Sequence, residues 1–173
     1  MTDYQFRPAV ASDVPAIAAI YEKILAAPNP TGWEAGVYPT AETAADAIAC
    51  GDMFVLCQEN RVLAAARLNS EELDVYAETP WQDTAAPGNV LVIHTLVVDP
   101  AARGQGLARL FISFYEEEAR RRGCPNLRID TNLTNIPART LYKSLGFREA
   151  AVITSEFNGI AGTSLVLLEK RLH

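Results

Sequence analysis

The residues best suited to chemistry include two glycines and an arginine in the stretch Asp99–Phe111, DPAARGQGLARLF. Successive backbone N–H groups in a tight turn form a concave site for anions, and a helix beginning there adds partial positive charge. Gly104 and Gly106 allow backbone conformations that other residues avoid, and Arg103 can add a charged contact. The spacing therefore predicts a phosphate site at the start of a helix.

Two common phosphate loops do not match this stretch. A dinucleotide-binding fingerprint needs a third glycine where Arg109 stands, and a Walker A loop needs Gly-Lys-Ser/Thr, which the stretch lacks. A plain strand-to-helix turn remains an alternative, because two glycines alone do not specify a ligand.

His94 and Asp130 are the residues whose side chains could move a proton. His94 interrupts the apolar run VLVIHTLVV, and imidazole, with an ordinary pKa of about 6.5, suits proton abstraction near neutral pH. The alternative is a buried histidine that hydrogen-bonds its neighbours. Asp130, at the end of a later strand, is the next candidate for a base, and it could instead bind a cationic substrate or Arg128.

Strands and helices alternate along the chain in the predicted order β-α-α-β-β-β-α-β-α-β-β. The run Val90–Val98 is apolar on both faces, which is typical of a central strand. The next helix has an apolar stripe and leads to a strand at 127–131, so this crossover predicts a parallel pair. Leu107, Leu110, Phe111, Phe114 and Glu118 mark this stripe. The last two strands are predicted at 150–157 and 164–171.

Length and composition bound the classes of protein that fit. The 173 residues suit one domain, 49% of them are hydrophobic, and the net charge of -6 argues against a nucleic-acid partner. We expect no signal peptide, no membrane helix and no metal site, and a cytoplasmic protein. The three cysteines read as reduced thiols, two of them buried.

Charge is unevenly distributed between two parts of the chain. The segment 99–150 carries nine Lys/Arg against six Asp/Glu, whereas the rest carries six against fifteen. A polyanionic cofactor on the first part and a cationic substrate near the second would suit this distribution. Scattered surface charge is the alternative.

Three motifs in order resemble the GNAT superfamily of acyl-CoA-dependent N-acyltransferases. Arg103–Ala108, RGQGLA, resembles its R/Q-x-x-G-x-G/A signature after a strand ending LVVDP. Asn135–Phe147 resembles its N-x-x-A-x-x-x-Y-x-x-x-G-F pattern, and FRPAVASDVPAI resembles its first strand and helix. The resemblance implies a single N-acetyltransferase domain over 1–173 with an α/β fold. Its mixed, mostly antiparallel sheet would be flanked by helices and contain two central parallel strands that splay apart after about Val98 and Asp130.

The same resemblance implies where acetyl-CoA, the acyl donor, would bind. The pyrophosphate would lie on the amides of the glycine turn, and the pantetheine would pair with the preceding strand. Asn135 would contact the cofactor from the other side. The cofactor-binding residues expected on this basis are Leu96, Val97, Val98, Arg103, Gly104, Gln105, Gly106, Leu107, Ala108, Asn135 and Ala138.

Acetyl transfer to an amine by direct attack in a ternary complex sets the remaining requirements. An alkylammonium with a pKa of about 10.4 must lose a proton before it can attack, and the departing thiolate must gain one. His94 is our candidate base. The resemblance implies that Tyr142 is the general acid and that an N–H near Leu96 meets the oxyanion. Without the resemblance, Tyr142 would be interpreted as a core residue.

Aromatic and acidic residues indicate an acceptor site for a cationic amine. The residues expected to contact the substrate are Trp33, Tyr38, Tyr76, Trp81 and Asp130. The alternative is that the aromatics cover the core while the acids lie in a solvated loop. We expect a small-molecule or amino-acid-like amine as the acceptor. A protein or peptide acetyltransferase and a non-catalytic acyl-CoA-binding or sensing module stay open, as does a homodimer.

Overall fold

The computed structural model describes residues 3–173, which form seven strands, four helices and three short 3₁₀ turns. The helices are α1 (Val14–Leu25), α2 (Ala41–Ala49), α3 (Leu107–Arg122) and α4 (Ile136–Ser144). The strands are β1 (Tyr4–Pro8), β2 (Met53–Gln58), β3 (Arg61–Asn69), β4 (Val90–Val98), β5 (Asn126–Asn132), β6 (Arg148–Phe157) and β7 (Ile160–Arg171). The predicted α/β class and the predicted order of elements are confirmed.

The strands form one mixed sheet with the order β1-β2-β3-β4-β5-β7-β6. β1 pairs with β2, β2 with β3, β5 with β7 and β6 with β7 in antiparallel fashion. β4 and β5 are parallel, because α3 carries the chain back between them. Their register runs from Val90 opposite Asn126 to Ile93 opposite Ile129. The parallel pairing therefore ends on β4 well before Val98, where the sequence predicted separation.

The first of two compact units comprises the described residues up to Asn29, with Trp33–Leu68 and His94–Phe114. Its core combines the apolar stripe of α1 with small residues of α2 and side chains of β2 and β3. α2 begins at Thr40, whose hydroxyl accepts a hydrogen bond from the N–H of Thr43. Buried members of this core include Ile17, Ile20, Ile24, Ala44, Val55 and Ala65.

The second unit comprises Pro30–Gly32, Asn69–Ile93 and Tyr115–His173. Its core includes side chains from β4, β6 and β7, and it also contains Tyr76, with Trp81 packed against it. Both aromatics come from residues 71–88, which we call the acidic connection. The acidic connection therefore contributes aromatic side chains to a core, whereas most of its other residues, the acidic Glu71, Asp74 and Glu78 among them, are exposed.

Several predicted details match, and others are corrected. β4 has the predicted bounds, while β6 and β7 begin at Arg148 and Ile160, earlier than predicted. On α3, Leu110 is 39% exposed, whereas Tyr115, which the predicted stripe omitted, is buried. Two of the three cysteines are buried, as expected. The single domain over 1–173 stays a prediction. Within residues 3–173, every helix is too short or too polar to cross a membrane.

Candidate functional site

The turn between β4 and α3 has the backbone conformation that an anion site needs. Gly104 and Gly106 adopt positive φ values of 79° and 74°. A Cβ atom on either glycine would have no neighbour within 4 Å, so open space lies beside both. α3 begins directly afterwards at Leu107, so the first unpaired N–H groups of the helix belong to the same turn. The turn therefore fits the phosphate-bearing ligand expected from the sequence.

Asp99 fixes the start of this turn. Its side chain accepts hydrogen bonds from Arg61 at 2.8 Å, from Lys23 at 3.1 Å and from the N–H of Ala101 at 3.0 Å. Its own N–H donates to the carbonyl of Leu63 at 2.8 Å. Burial opposes ionisation, but the hydrogen bonds outweigh it, so the pKa of Asp99 lies below its ordinary value. Asp99 is therefore an ionised anchor.

The second half of β4 departs from a regular strand. Thr95 has a φ of 53°, a left-handed conformation that is unusual for a β-branched residue. Its hydroxyl forms a hydrogen bond with the hydroxyl of Tyr38. His94 and Leu96 are half-buried beside it, and His94 interacts with a neighbouring residue. This strained segment includes predicted cofactor-binding residues, and backbone strain of this kind is concentrated at functional sites.

The predicted substrate aromatics of the loop between α1 and α2 lie together. Trp33 contacts Tyr38 edge to face, with ring centroids 6.1 Å apart. Both rings are half-buried. Through the hydroxyl of Tyr38, this pair is connected to Thr95 in the irregular half of β4. The first unit therefore holds Trp33, Tyr38, His94 and the glycine turn.

The tip of the same loop is fastened to the turn before α4. Thr134 donates a hydrogen bond from its hydroxyl to the carbonyl of Pro30 at 3.3 Å. A Cβ atom on Gly32 would lie 2.1 Å from the amide nitrogen of Asn132. Asn132 cannot move away freely, because its Oδ1 accepts hydrogen bonds from the N–H and hydroxyl of Thr134. This contact requires glycine at position 32.

Tyr142 lies on α4 as a buried phenol, 6% exposed. α4 begins at Asn135, whose side chain accepts a hydrogen bond from the N–H of Ala138 at 3.3 Å. Burial and then the negative charge of Asp130 raise the pKa of Tyr142. Among residues 3–173 the structure gives its hydroxyl no hydrogen-bond partner. Tyr142 is therefore a neutral phenol whose hydroxyl is not used in a hydrogen bond within residues 3–173.

Asp130 is the carboxyl group whose negative charge acts on Tyr142. Its Oδ2 accepts a hydrogen bond from the hydroxyl of Tyr76 at 2.7 Å, and its side chain is partly buried. Burial raises the pKa of Asp130, while the hydrogen bond from Tyr76 opposes that rise. Among the described residues no cation pairs with it. The sequence left open a pairing with Arg128, and the structure shows Arg128 paired with Glu72 instead.

Trp81 has one ring face covered by a cation of the protein itself. The guanidinium of Arg128 lies 4.2 Å from the centre of the Trp81 ring. The indole N–H donates to the carbonyl of Tyr76 at 2.8 Å. Tyr76 is only 2% exposed, so its ring belongs to the core, while its hydroxyl reaches Asp130. The second unit thus brings together Asp130, Tyr142, Tyr76 and Trp81.

Two features of these clusters escaped the sequence analysis. Nothing in VLVIHTLVV signals the left-handed Thr95, because a threonine within a run of β-formers favours an ordinary strand. The role of Asp99 as a double ion-pair acceptor depends on Lys23 and Arg61, which are distant in sequence. The lone acidic residue directly after an apolar strand was the available signal.

A family model, the Acetyltransferase (GNAT) family, matches residues 18–147. The matched range contains the glycine turn, His94, Asp130 and Tyr142. It covers most of the chain.

Curated relatives match over shorter segments. An aminoglycoside N(6')-acetyltransferase type 1 of Klebsiella aerogenes is 34% identical over 74 residues, 43% of this chain and 49% of the relative. An acetyltransferase of Agrobacterium fabrum is 41% identical over 81 residues, 47% of this chain and 56% of the relative. A ribosomal protein bS18-alanine N-acetyltransferase of Escherichia coli is 35% identical over 60 residues, 35% and 40% of the two chains. The chain spans about half the length of the first two of these relatives.

Solved structures share the fold over nearly the whole chain. An acetyltransferase of the GNAT family from Streptococcus agalactiae superposes with a TM-score of 0.81 at 21% identity, covering 98% of this chain and 96% of the other. A phosphinothricin acetyltransferase from Sinorhizobium meliloti in complex with acetyl-CoA gives a TM-score of 0.73 at 18% identity, covering 99% and 89%.

Proposed function

Because the chain belongs to the acetyltransferase (GNAT) family, we propose that it transfers the acetyl group of acetyl-CoA to the primary amine of a small molecule. The observation that carries the proposal is the glycine turn, whose open, positive-φ backbone precedes α3 as a phosphate site requires. The aminoglycoside relative acts on a small amine, which supports the choice of acceptor.

The glycine turn supplies the binding groups for the donor. The N–H groups of Gly104, Gly106, Leu107 and Ala108 would hold the pyrophosphate, with Arg103 adding charge. Leu96 and Val98 would offer backbone groups to the amide-containing arm, as an added strand does. Acetyl-CoA supplies a thioester, an acyl group already activated toward an amine. Asn135 uses its side-chain oxygen to cap α4, which leaves its amide nitrogen for a ligand.

Asp130 is our choice for the group that receives the acceptor amine. A carboxylate without a cation partner attracts an ammonium group, and its second oxygen can accept the proton that the amine must lose. Its raised pKa makes the carboxylate a stronger base than an ordinary aspartate, which suits it to accept that proton. His94, the base predicted from the sequence, is the alternative, acting directly or through water. The two differ in how they shape the pH profile.

Tyr142 holds the proton for the leaving sulfur. Its pKa is raised by burial and by Asp130, so the phenol stays protonated at neutral pH and can donate. The hydroxyl is free of hydrogen bonds within residues 3–173, so donation breaks no existing contact. A tyrosine in this state serves as a general acid better than as a nucleophile or base.

The binding step is tested by calorimetry with acetyl-CoA. Gly106→Val places a branched side chain in the open space of the turn and should weaken binding at least about tenfold, since a lost charged contact costs over 1.4 kcal/mol. Gly51→Val is the matched control, because Gly51 also has a positive φ and open space but lies outside the turn. Equal losses in both variants, or no binding to the wild type, would contradict the proposal.

The transfer step is tested by release of free CoA thiol with a panel of acceptors. The panel includes aminoglycosides, other small diamines, amino acids and peptides with N-terminal alanine. Release with small amines supports the proposal. Release with the peptides alone would make the protein a peptide acetyltransferase. Tight acetyl-CoA binding without release on any acceptor would favour the binding module.

A further inference from the structure

We infer that Tyr76 is a positioning residue for the acetyl transfer: through its hydrogen bond it orients the Asp130 carboxylate and sets how readily that group accepts a proton. The inference rests on the proposed function, in which Asp130 receives the amine. Tyr76 itself is buried and is assigned no contact with the substrate.

The Tyr76 hydroxyl is placed by a chain of contacts that begins and ends on β5. Arg128 covers the ring of Trp81 at 4.2 Å, and Trp81 contacts Tyr76 edge to face at 5.2 Å. The Trp81 indole donates to the Tyr76 carbonyl at 2.8 Å, and the Tyr76 hydroxyl donates to Asp130 at 2.7 Å. Arg128 and Asp130 are two residues apart, so their side chains share one face of the strand. We call these four residues the β5 clamp.

The other supports of the β5 clamp are equally local. Glu72 forms an ion pair with Arg128, whose side chain is only 7% exposed, so the buried guanidinium has a compensating charge. β7 holds the backbone of β5 from its opposite edge, with Glu169 opposite Arg128 and Leu167 opposite Asp130. The strand and the aromatic pair are therefore both fixed before any ligand arrives.

A packing role would not need the phenol oxygen of Tyr76. The ring is 2% exposed, so phenylalanine would fill the same space, and a buried hydroxyl costs free energy unless it is hydrogen-bonded. That hydroxyl instead reaches the one carboxylate of the cluster that no cation neutralises. Its bond occupies Oδ2 and leaves Oδ1 as the oxygen that can meet an ammonium group.

The charged and titratable groups around Asp130 are few and distinct in role. Tyr76 faces it from the 3₁₀ turn of the acidic connection, and Tyr142 is affected by its charge from α4. On β5 itself, Arg128 is committed to Glu72. Burial of Tyr76 raises the pKa of its phenol, with the Asp130 charge adding to the effect, so Tyr76 remains a donor while Asp130 titrates.

The experiment measures the titration of Asp130 directly by carbon-13 NMR on the full chain, with Asp130→Asn to assign the resonance. Tyr76→Phe removes the donor, so we expect the midpoint to move to higher pH by about one unit. Tyr21→Phe is the matched control, because Tyr21 on α1 is also buried but its hydroxyl has no hydrogen-bond partner among residues 3–173. In this control variant the titration midpoint of Asp130 should match that of the wild type.

The kinetic readout uses kcat/KM against pH with an accepted amine. The acid limb should move upward with the NMR midpoint, giving about a tenfold loss below that limb, and Tyr76→Phe should add no further loss in the Asp130→Asn background. Trp81→Phe removes the indole N–H donor and also shrinks the ring that contacts Arg128 and Tyr76. It should give a smaller shift in the same direction and decides the matter if Tyr76→Phe does not fold.

Failure of the inference and failure of the proposed function are distinguishable. An active protein whose Asp130 midpoint and acid limb do not move in Tyr76→Phe overturns the inference. An equal shift in Tyr21→Phe does so as well, because the effect would then be general. A protein that releases no thiol on any amine, yet shows the NMR shift, overturns the proposed function and leaves the coupling between Tyr76 and Asp130 intact.

Discussion

Two aspartates lie near the ends of the two parallel strands, and their surroundings shift their pKa values in opposite directions. Asp99 follows β4 and is held by Lys23, Arg61 and a backbone N–H, so its pKa is lowered. Asp130, on β5 directly after the last parallel pair, accepts a hydrogen bond from the Tyr76 hydroxyl and has no cation partner among residues 3–173, and burial raises its pKa. The first carboxylate is stabilised as an ion, whereas the second is kept ready to take up a proton.

The difference teaches that neither burial nor residue type identifies a functional carboxylate. Asp99 is the less exposed to solvent of the two, at 2%, yet Lys23, Arg61 and a backbone N–H compensate its charge. Asp130 is only partly buried but lacks a cation, so it retains an unsatisfied attraction for one. The absence of a compensating charge is the signal, and it supports the assignment of Asp130 to the acceptor.

The largest effect on the acetylation rate should come from Tyr142, whose pKa is raised in part by the charge of Asp130. Tyr142→Phe keeps the ring and removes the acid, so single-turnover acetylation should slow by ~10²–10⁴-fold with acetyl-CoA affinity nearly unchanged. Rapid-quench measurement of product formation and calorimetry check the two parts. A wild-type single-turnover rate would leave Tyr142 as a packing residue.

Asp130→Asn should lose rate rather than stability. We expect kcat/KM to fall by about 10²-fold with loss of the acid limb. The folded pKa lies above the ordinary value of 3.8, so ionisation of Asp130 removes stability as pH rises through the folded pKa. At pH 7 the variant should therefore be at least as stable as the wild type in urea melts. A variant that is clearly less stable at that pH would show that ionised Asp130 stabilises the fold, as Asp99 does, and would contradict the contrast between them.

Asp99→Asn should show the opposite pattern, with a loss of about 2 kcal/mol in unfolding free energy at pH 7 from its charge-assisted hydrogen bonds. The pKa of Asp99 is lowered, so its contribution is present above the ordinary value of 3.8 and is lost as pH falls through the folded pKa. Urea melts between pH 7 and pH 3 should show the gap between variant and wild type closing. A gap of constant size would mean that the ion pairs contribute nothing.

The smallest effect should come from His94→Gln. If Asp130 receives the proton, this variant keeps the acid limb and slows turnover by less than about tenfold, through loss of local polar contacts. The pH profile of kcat/KM, measured beside Asp130→Asn, separates the two bases. Loss of the acid limb in His94→Gln would return the role to the histidine.

Sequence patterns predicted the fold well where periodicity or turn chemistry is local. Val90–Val98 was visible as an apolar run, and the glycine turn was visible from its residue types. The early part of β7 was missed, because residues from Ile160 to Thr163 alternate poorly and form a strand through pairing with β6.

The site was predictable only in part, for a related reason. Asp130 was singled out as the acidic residue at the end of a predicted strand, and Tyr142 by the spacing of the Asn135–Phe147 motif. The hydrogen bond between Tyr76 and Asp130 joins residues 54 positions apart, and Tyr76 comes from a connection without periodicity. Long-range contacts of irregular segments depend on the whole packed unit, and no local rule encodes them.

The close approach of the Asn132 side chain to Gly32 limits which positions of this loop can be varied in a redesign of acceptor preference. A mutagenesis library over the loop between α1 and α2 can diversify the exposed positions 34–37, where side chains have room. Every non-glycine codon at position 32 would force a clash at 2.1 Å in a left-handed backbone, so such clones should vanish from the selected pool regardless of the substrate used for selection.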